Sequence, residues 1–238
     1  MNTSTYSYKD IFKEQEQNLG SLLNTYVHQA KLDAFDEFYK LGIPTRRDEA
    51  WKYTNVSAFT RASLNPLFFP QLHLDVKKSD FRYYEHIQAN KLVVVNGSFQ
   101  KHLSEVLEDS ENITILSTNE AISTGNKTFE KYFNHLARNE KENFTALNTS
   151  MFGDGIFIHI KEGYKAEFPI FWFFISKENS ECIINPRNLI VLEKGSSLEI
   201  VKDHQGLTSG DYFINSLSEI YIGEGATLNL TGVQNETS

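Results

Sequence analysis

A glycine-centred unit that returns at nearly constant spacing constrains this chain more than any other feature. Around Gly195, the run from Asn188 to Asp203 places Ile190 and Leu192 before the glycine and Leu198 and Ile200 after it. Each apolar pair alternates along the backbone, which reads as strand, tight turn, strand. Ile220, Ile222, Gly225, Leu228 and Leu230 repeat the unit 30 residues later, and Ile158, Ile160, Gly163, Ala166 and Phe168 precede it by 32. Such recurrence marks stacked units, each too small to bury its own apolar face. Residues 151–238 are therefore expected to form a β-solenoid, with the glycines supplying a backbone conformation that a side chain would make costly. Alternation then directs His159, Lys165, Glu167, Val191, Glu199, Tyr221 and Asn229 outward. Hairpins of a cupin-like or jelly-roll sandwich give the same periodicity. The long linkers between copies, as from Lys202 to Ser218, favour the solenoid.

The chain has 238 residues and a formal charge of −8, enough for one large or two modest cores. The charge is uneven: 17 basic and 19 acidic residues in 1–150, against 6 and 12 in 151–238. No broad basic surface is offered to nucleic acid or anionic lipid. The lone cysteine, Cys182, excludes an internal disulfide and fits a reducing cytoplasm. The N-terminus has neither the basic start nor the apolar core of a secretory signal. The longest apolar run, Pro169 to Ile175, is too short to span a bilayer.

Ahead of the repeats, residues 1–150 read as a helical and small mixed α/β domain, so the expected class is α+β. Leu22, Tyr26, Ala30, Ala34, Phe38 and Leu41 recur at helical spacing, predicting a helix from Ser21 to Leu41 that Gly42 stops and Pro44 keeps from resuming. Tyr8 to Asn18 predicts a shorter helix. In the segment Gly42 to Asn55, Thr45 is a plausible N-cap answered by Asp48. Arg46 and Arg47 beside two carboxylates suit either an anion or partner site or, as the favoured reading, an Arg–carboxylate latch with Trp51 and Tyr53 pinning the segment. Residues 60–90 read as irregular. Lys91 to Gln100 is a strand entering an Asn96-Gly97 turn, and Ile113 to Leu116 is another. Leu103–Leu107, Thr128–Leu136 and Glu142–Met151 have helical spacing.

Catalytic patterns are scarce. No Gly-Lys dipeptide is present, so there is no phosphate-binding P-loop, and Gly153-Asp-Gly155 lacks the rest of a dinucleotide fingerprint and reads as a turn at the solenoid's entrance. Histidines 28, 73, 86, 102, 135, 159 and 204 show no metal-ligand spacing, and Lys161 stands where a cupin would want a second histidine beside His159. Cys182 reads as buried and inert. The one polar cluster, Asp203-His-Gln-Gly-Leu-Thr-Ser-Gly-Asp211, suits a hydrolase or polysaccharide lyase cleft, although glycine and aspartate also serve any long loop.

Pro44-Thr-Arg-Arg-Asp-Glu-Ala-Trp-Lys-Tyr-Thr54 resembles a segment near the start of SufD-type members of the SufB/SufD family. Leu92-Val-Val-Val-Asn-Gly97, Ala146-Leu-Asn148, Asp154-Gly155, Pro169-Ile170, Pro186-Arg-Asn-Leu-Ile-Val191 and Val233-Gln-Asn-Glu236 resemble that family's later landmarks, in order. The resemblance implies an iron-sulfur cluster assembly subunit with a helical N-terminal domain and a right-handed parallel β-helix. It implies a non-catalytic, cytoplasmic scaffold that works beside a SufB-like paralogue and a SufC-like ABC ATPase, with no nucleic acid or membrane partner. No catalytic, cofactor or metal residue carries over, and the cluster belongs only transiently to the full complex. The chain stops at Ser238, after a strand, so it is expected to be a truncated form whose open edge self-associates. The rival expectation is a carbohydrate-active β-helix enzyme using the 203–211 loop.

Overall fold

The structure, a computed structural model, describes residues 3–17, 19–56, 65–67, 75–107, 111–138, 142–177, 182–207 and 212–236. Four strands precede the repeats: β1 (Asn65–Leu67), β2 (Asn90–Val95), β3 (Ser98–Phe99) and β4 (Ile113–Ser117). From Ile156 onward the chain is strands joined by turns: β5 (Ile156–Ile160), β6 (Ile170–Ser176), β7 (Cys182–Ile184), β8 (Arg187–Leu192), β9 (Ser197–Gly206), β10 (Tyr212–Ile214), β11 (Leu217–Ile222) and β12 (Thr227–Asn235). They build three sheets, in the orders β1-β7-β10, β11-β8-β5-β4 and β12-β9-β6-β2-β3. Beginning at β5, the chain visits the second, third and first sheets in turn, so each circuit adds one parallel strand to each.

The register places the predicted rungs over one another, except that Ile170 and not the expected Phe168 pairs with Ile200. Ile158 pairs with Ile190 and Ile190 with Ile220, while Ile170 pairs with Ile200 and Ile200 with Leu230. The isoleucine side chains form one inner cluster with Leu92, Val94, Trp172, Phe174, Leu192 and Leu198, while Leu230 in the outermost layer is exposed. The three turn glycines have φ of 72°, 66° and 67°, the left-handed region in which a Cβ is penalised. They also join the stack: Gly163 N donates to Lys194 O at 2.8 Å and Gly195 N to Glu224 O at 2.9 Å. Gly195→Ala is expected to cost about 1–2 kcal/mol by urea denaturation, with the native fold kept.

Facing away from the inner cluster does not mean facing water. Glu167, Glu199 and Asn229 are exposed as alternation predicts, yet Val191 is 2 % and His159 8 % exposed. Helices α1 (Thr3–Gln17), α2 (Tyr26–Leu41), α3 (Thr118–Ser123), α4 (Lys127–Tyr132) and α5 (Asn143–Met151) supply the cover. Ala121, Ile122, Phe129 and Phe133 pack on Phe157, Leu189 and Val191, with Tyr221 beside them. On the sheet carrying β7, Phe12, Phe35, Phe38, Ala146, Leu147 and Met151 pack against Ile183. Val76, Phe81 and Tyr83 cover Phe173 and Ile175.

Local signals explain where the elements stop. The helix predicted from Ser21 begins at Tyr26, because Gly20–Leu22 makes a 3-10 turn and Thr25 caps the helix, accepting from His28 N at 3.3 Å. Gly42 ends it at φ 68°, donating its N–H to Phe38 O at 2.7 Å. Asn96 and Gly97 both have positive φ and turn β2 back on β3, as their dipeptide predicts. The helix expected over Leu103–Leu107 does not form, a 3-10 turn at Lys101–Leu103 preceding it and Glu105 bridging to Lys91 instead, and the helix expected to Leu136 ends at Tyr132. The segment expected to be irregular holds β1, with 57–64 and 68–74 outside the described residues.

Asp154 sits where the repeats begin. Its carboxylate accepts Phe99 N–H (3.3 Å), Asn119 N–H (3.1 Å) and the Ser98 hydroxyl (3.5 Å), tying β3 and α3 to the entrance of β5. Burial outweighs these donors and pushes its pKa from 3.8 up to about 6. Between those values the folded state holds a proton that the unfolded chain has released. The contribution to stability is thus full below the window and is lost as pH rises through it. Relative to D154N, the wild type is expected to gain about 2–3 kcal/mol between pH 7 and pH 4 in parallel urea titrations. The difference between the two proteins isolates this group from the other titrating side chains.

Candidate interaction surface

Among the described residues, one end of each sheet is an edge strand late in the sequence, paired on one side only: β10, β11 and β12. Backbone donors and acceptors along such an edge lack an intramolecular strand partner, and a partner strand satisfies them. The side chains at this end match that state. Leu198 and Ile200 on β9 are 3 % and 0 % exposed, whereas one layer further out Ile222, Leu230 and Val233 are 53 %, 45 % and 40 % exposed. The arrangement offers main-chain hydrogen bonds and an apolar rim, the chemistry of sheet extension between chains.

Just inside that edge lies a buried polar cluster joining the strands to their cover. Arg187, at the start of β8, and Glu219, on β11, are 0 % and 2 % exposed. Arg187 Nη2 donates to Glu219 Oε1 at 2.7 Å and to Asn134 Oδ1 at 3.2 Å, and the guanidinium lies 5.1 Å from the Phe133 ring centre. Glu219 also accepts the backbone N–H groups of Asn134 and Leu136 at 2.7 Å and of Ala137 at 3.1 Å. One carboxylate therefore pins the segment after α4 onto the outermost layer. Burial lowers the Arg187 pKa to about 10 against the opposing pull of Glu219. Nearby Lys31, 1 % exposed, donates to Phe152 O at 2.7 Å and Ser150 O at 3.3 Å. Burial first and Arg187 second push its pKa well down. The signal for this cluster was present in the sequence: Arg187 and Glu219 share strand parity with Leu189, Val191 and Tyr221, positions that read as apolar and outward.

The segment expected to be a polar loop is largely strand. Asp203, His204, Gln205 and Gly206 continue β9, and 208–211 lie outside the described residues. Successive strand residues face opposite sides, so Asp203 and His204 are not brought together. His204 stacks on Phe174 (4.5 Å, 2°) on the inner side, where Lys202 lies 4.9 Å from the Trp172 ring centre. Burial and then Lys202 lower the His204 pKa. Asp203 lies on the other face, 3.7 Å from Arg82, and accepts Gln205 Nε2 at 3.0 Å. Burial raises its pKa despite Arg82. This separation keeps Asp203 and His204 from acting as an acid–imidazole pair, and Asp211 lies outside the described residues.

Other sequence-marked residues are dispersed. Cys182 is buried in β7. His159 meets Glu193 at 2.9 Å and His28 meets Glu16 at 3.1 Å. Among the described residues, no group of three His, Cys, Asp or Glu side chains is disposed to hold a metal ion, and no helix is long and apolar enough to cross a membrane. The expected Arg46 or Arg47 latch does not form. Both arginines are exposed and make no side-chain bond or ion pair among the described residues, while Asp48 is engaged with Thr45 N at 2.6 Å and Thr45 Oγ1 at 3.1 Å.

Residues 2–171 match the family model for the SufBD protein N-terminal region, and residues 173–238 match that for the SUF system FeS cluster assembly SufBD core domain. An iron-sulfur cluster assembly SufBD family protein of Synechocystis sp. is 27 % identical over 94 % of this chain and 50 % of its own length. A SufBD family protein of Pyrococcus horikoshii is 29 % identical over 63 % of this chain and 32 % of its own length. One from Staphylococcus aureus is 27 % identical over 68 % and 34 %. The chain thus spans half or less of the length of these relatives. With family models covering nearly all of its residues, the chain belongs to the SufB/SufD family of iron-sulfur cluster assembly proteins.

Proposed function

We propose that this chain is a SufD-like, non-catalytic scaffold subunit of a cytoplasmic iron-sulfur cluster assembly complex, working through contact with a SufB-like paralogue and a SufC-like ABC ATPase. The observation that carries the reading is the match of residues 2–171 and 173–238 to the N-terminal and core family models of SufBD proteins. The three sheets, visited in fixed order and stacked in parallel register, are in this reading the walls of a right-handed parallel β-helix. The cluster is cargo of the assembled complex and not a resident group of this chain.

Two measurements test the proposal. Co-expression of the full-length gene product with SufB-like and SufC-like proteins is expected to yield a complex that restores cluster loading of an apo-ferredoxin. Recovery of neither partner removes the scaffold reading. For the 238-residue chain alone, the open edge predicts concentration-dependent self-association by light scattering. A monodisperse monomer at high concentration contradicts that expectation.

A further inference from the structure

The turn from Thr45 to Thr54 is rigid at its base and bare at its tip. Ile43 beneath it is 4 % exposed, and Trp51 packs edge-on against Phe144 at 5.1 Å. Asp48 closes the turn on Thr45, and backbone bonds from Trp51 N to Asp48 O (2.9 Å) and Thr54 N to Trp51 O (3.0 Å) continue it. From this base Arg46, Arg47 and Lys52 project into solvent without a salt bridge among the described residues, although Glu49 is equally exposed beside them. Tyr53 is 91 % exposed, well above any other exposed large apolar or aromatic side chain described, and Lys52 Nζ lies 5.5 Å from its ring centre.

We propose that Arg46, Arg47, Lys52 and Tyr53 form a docking surface for an acidic segment of a partner protein, its carboxylates meeting the arginines and an apolar side chain covering the tyrosine. Arginine and tyrosine are the side chains that concentrate binding energy at protein interfaces, and here the turn fixes the backbone that carries them before any partner arrives. The guanidinium fork matches a carboxylate in two hydrogen bonds. A nucleic acid fits poorly, because the chain as a whole carries −8 and would repel a polyanion beyond the contact. A small free anion fits poorly too, since the tip has no enclosing wall. The proposal concerns the exposed side chains of Arg46, Arg47, Lys52 and Tyr53 and none of the backbone edge of β10–β12, so its failure leaves the scaffold reading intact.

The test is fluorescence anisotropy on the full 238-residue chain with a labelled Glu-Glu-Leu repeat peptide. A Lys-Lys-Leu counterpart, inorganic phosphate and a single-stranded oligonucleotide serve as comparisons. The acidic peptide is expected to bind, to weaken with added salt, to lose at least about tenfold in affinity in R46E/R47E and several-fold in Y53A, and to recover partly in R46K/R47K. Thermal unfolding of these surface variants is expected to match the wild type. Equal affinity in R46E/R47E, no binding of the acidic peptide at millimolar concentration, or preferential binding of the oligonucleotide would each overturn the proposal.

Discussion

Arg187→Ala is expected to destabilise the protein by about 3–5 kcal/mol, the largest single-residue loss among the charged positions. Removing the guanidinium leaves the Glu219 carboxylate 2 % exposed, with only the amides of Asn134, Leu136 and Ala137 to compensate it. The pair itself is costly to bury, and Arg187 Nε and Nη1 find no hydrogen-bond partner. Breaking it and replacing it must therefore differ. The double variant R187M/E219L is expected to recover more than half of the single-variant loss, as an apolar pair in an apolar site. In R187A, Lys31 also loses a repelling neighbour, so its amine becomes easier to protonate. Urea denaturation of the three proteins decides the matter. A loss in R187A below about 1 kcal/mol would mean the pair behaves as a solvated one.

Gly155→Ala is expected to exceed about 3 kcal/mol, the upper end of ordinary overpacking. A Cβ at this position would lie 2.0 Å from Arg187 O and 2.6 Å from its carbonyl carbon, atoms of the neighbouring strand that cannot rotate away. The same carbonyl accepts the Thr118 hydroxyl at 2.7 Å, and Gly155 O accepts Thr118 N at 3.0 Å. Any retreat of β8 thus also pulls on the start of α3. Gly232→Ala is the matched control, since nothing lies within 4 Å of the added carbon there, and it is expected to stay within about 0.5 kcal/mol of the wild type. Comparable midpoints for the two variants in thermal or urea unfolding would show that β5 and β8 are not in the close contact described.

Much of the strand register was legible because it rests on local chemistry. Period-two alternation and three glycines needing positive φ fix which side chains stack from one layer to the next, and Ile158, Ile190 and Ile220 do so. Alternation identifies a side of a strand but not what lies over it. Val191 and Tyr221 read as outward and are covered by Phe129 and Phe133, whose arrival depends on contacts far apart in sequence. Asp203 and His204 were misread as a loop because polar residues hid the strand. The parity of Leu198 and Ile200, extended to Lys202 and His204, carries the correct assignment. At Arg46 and Arg47 the neighbouring carboxylates made a latch look natural, but Thr45 captures Asp48 first, a competition that spacing does not rank.

The offset between paired strands also sets a timetable for synthesis. Strands β8 and β11 meet partners about 30 residues away, whereas Asn90 pairs with Ile170 and Asn65 with Cys182. At the usual pace of roughly 5–20 residues per second, Asn90–Val95 emerges from the ribosome several seconds or more before its parallel neighbour. During that interval the described strand partners of β2 are the short β3 and the Lys91–Glu105 bridge, and its parallel neighbour is still to come. The nascent chain thus passes through a stage in which a chaperone has a hydrophobic strand to shield, and slowing translation between residues 96 and 170 would prolong it.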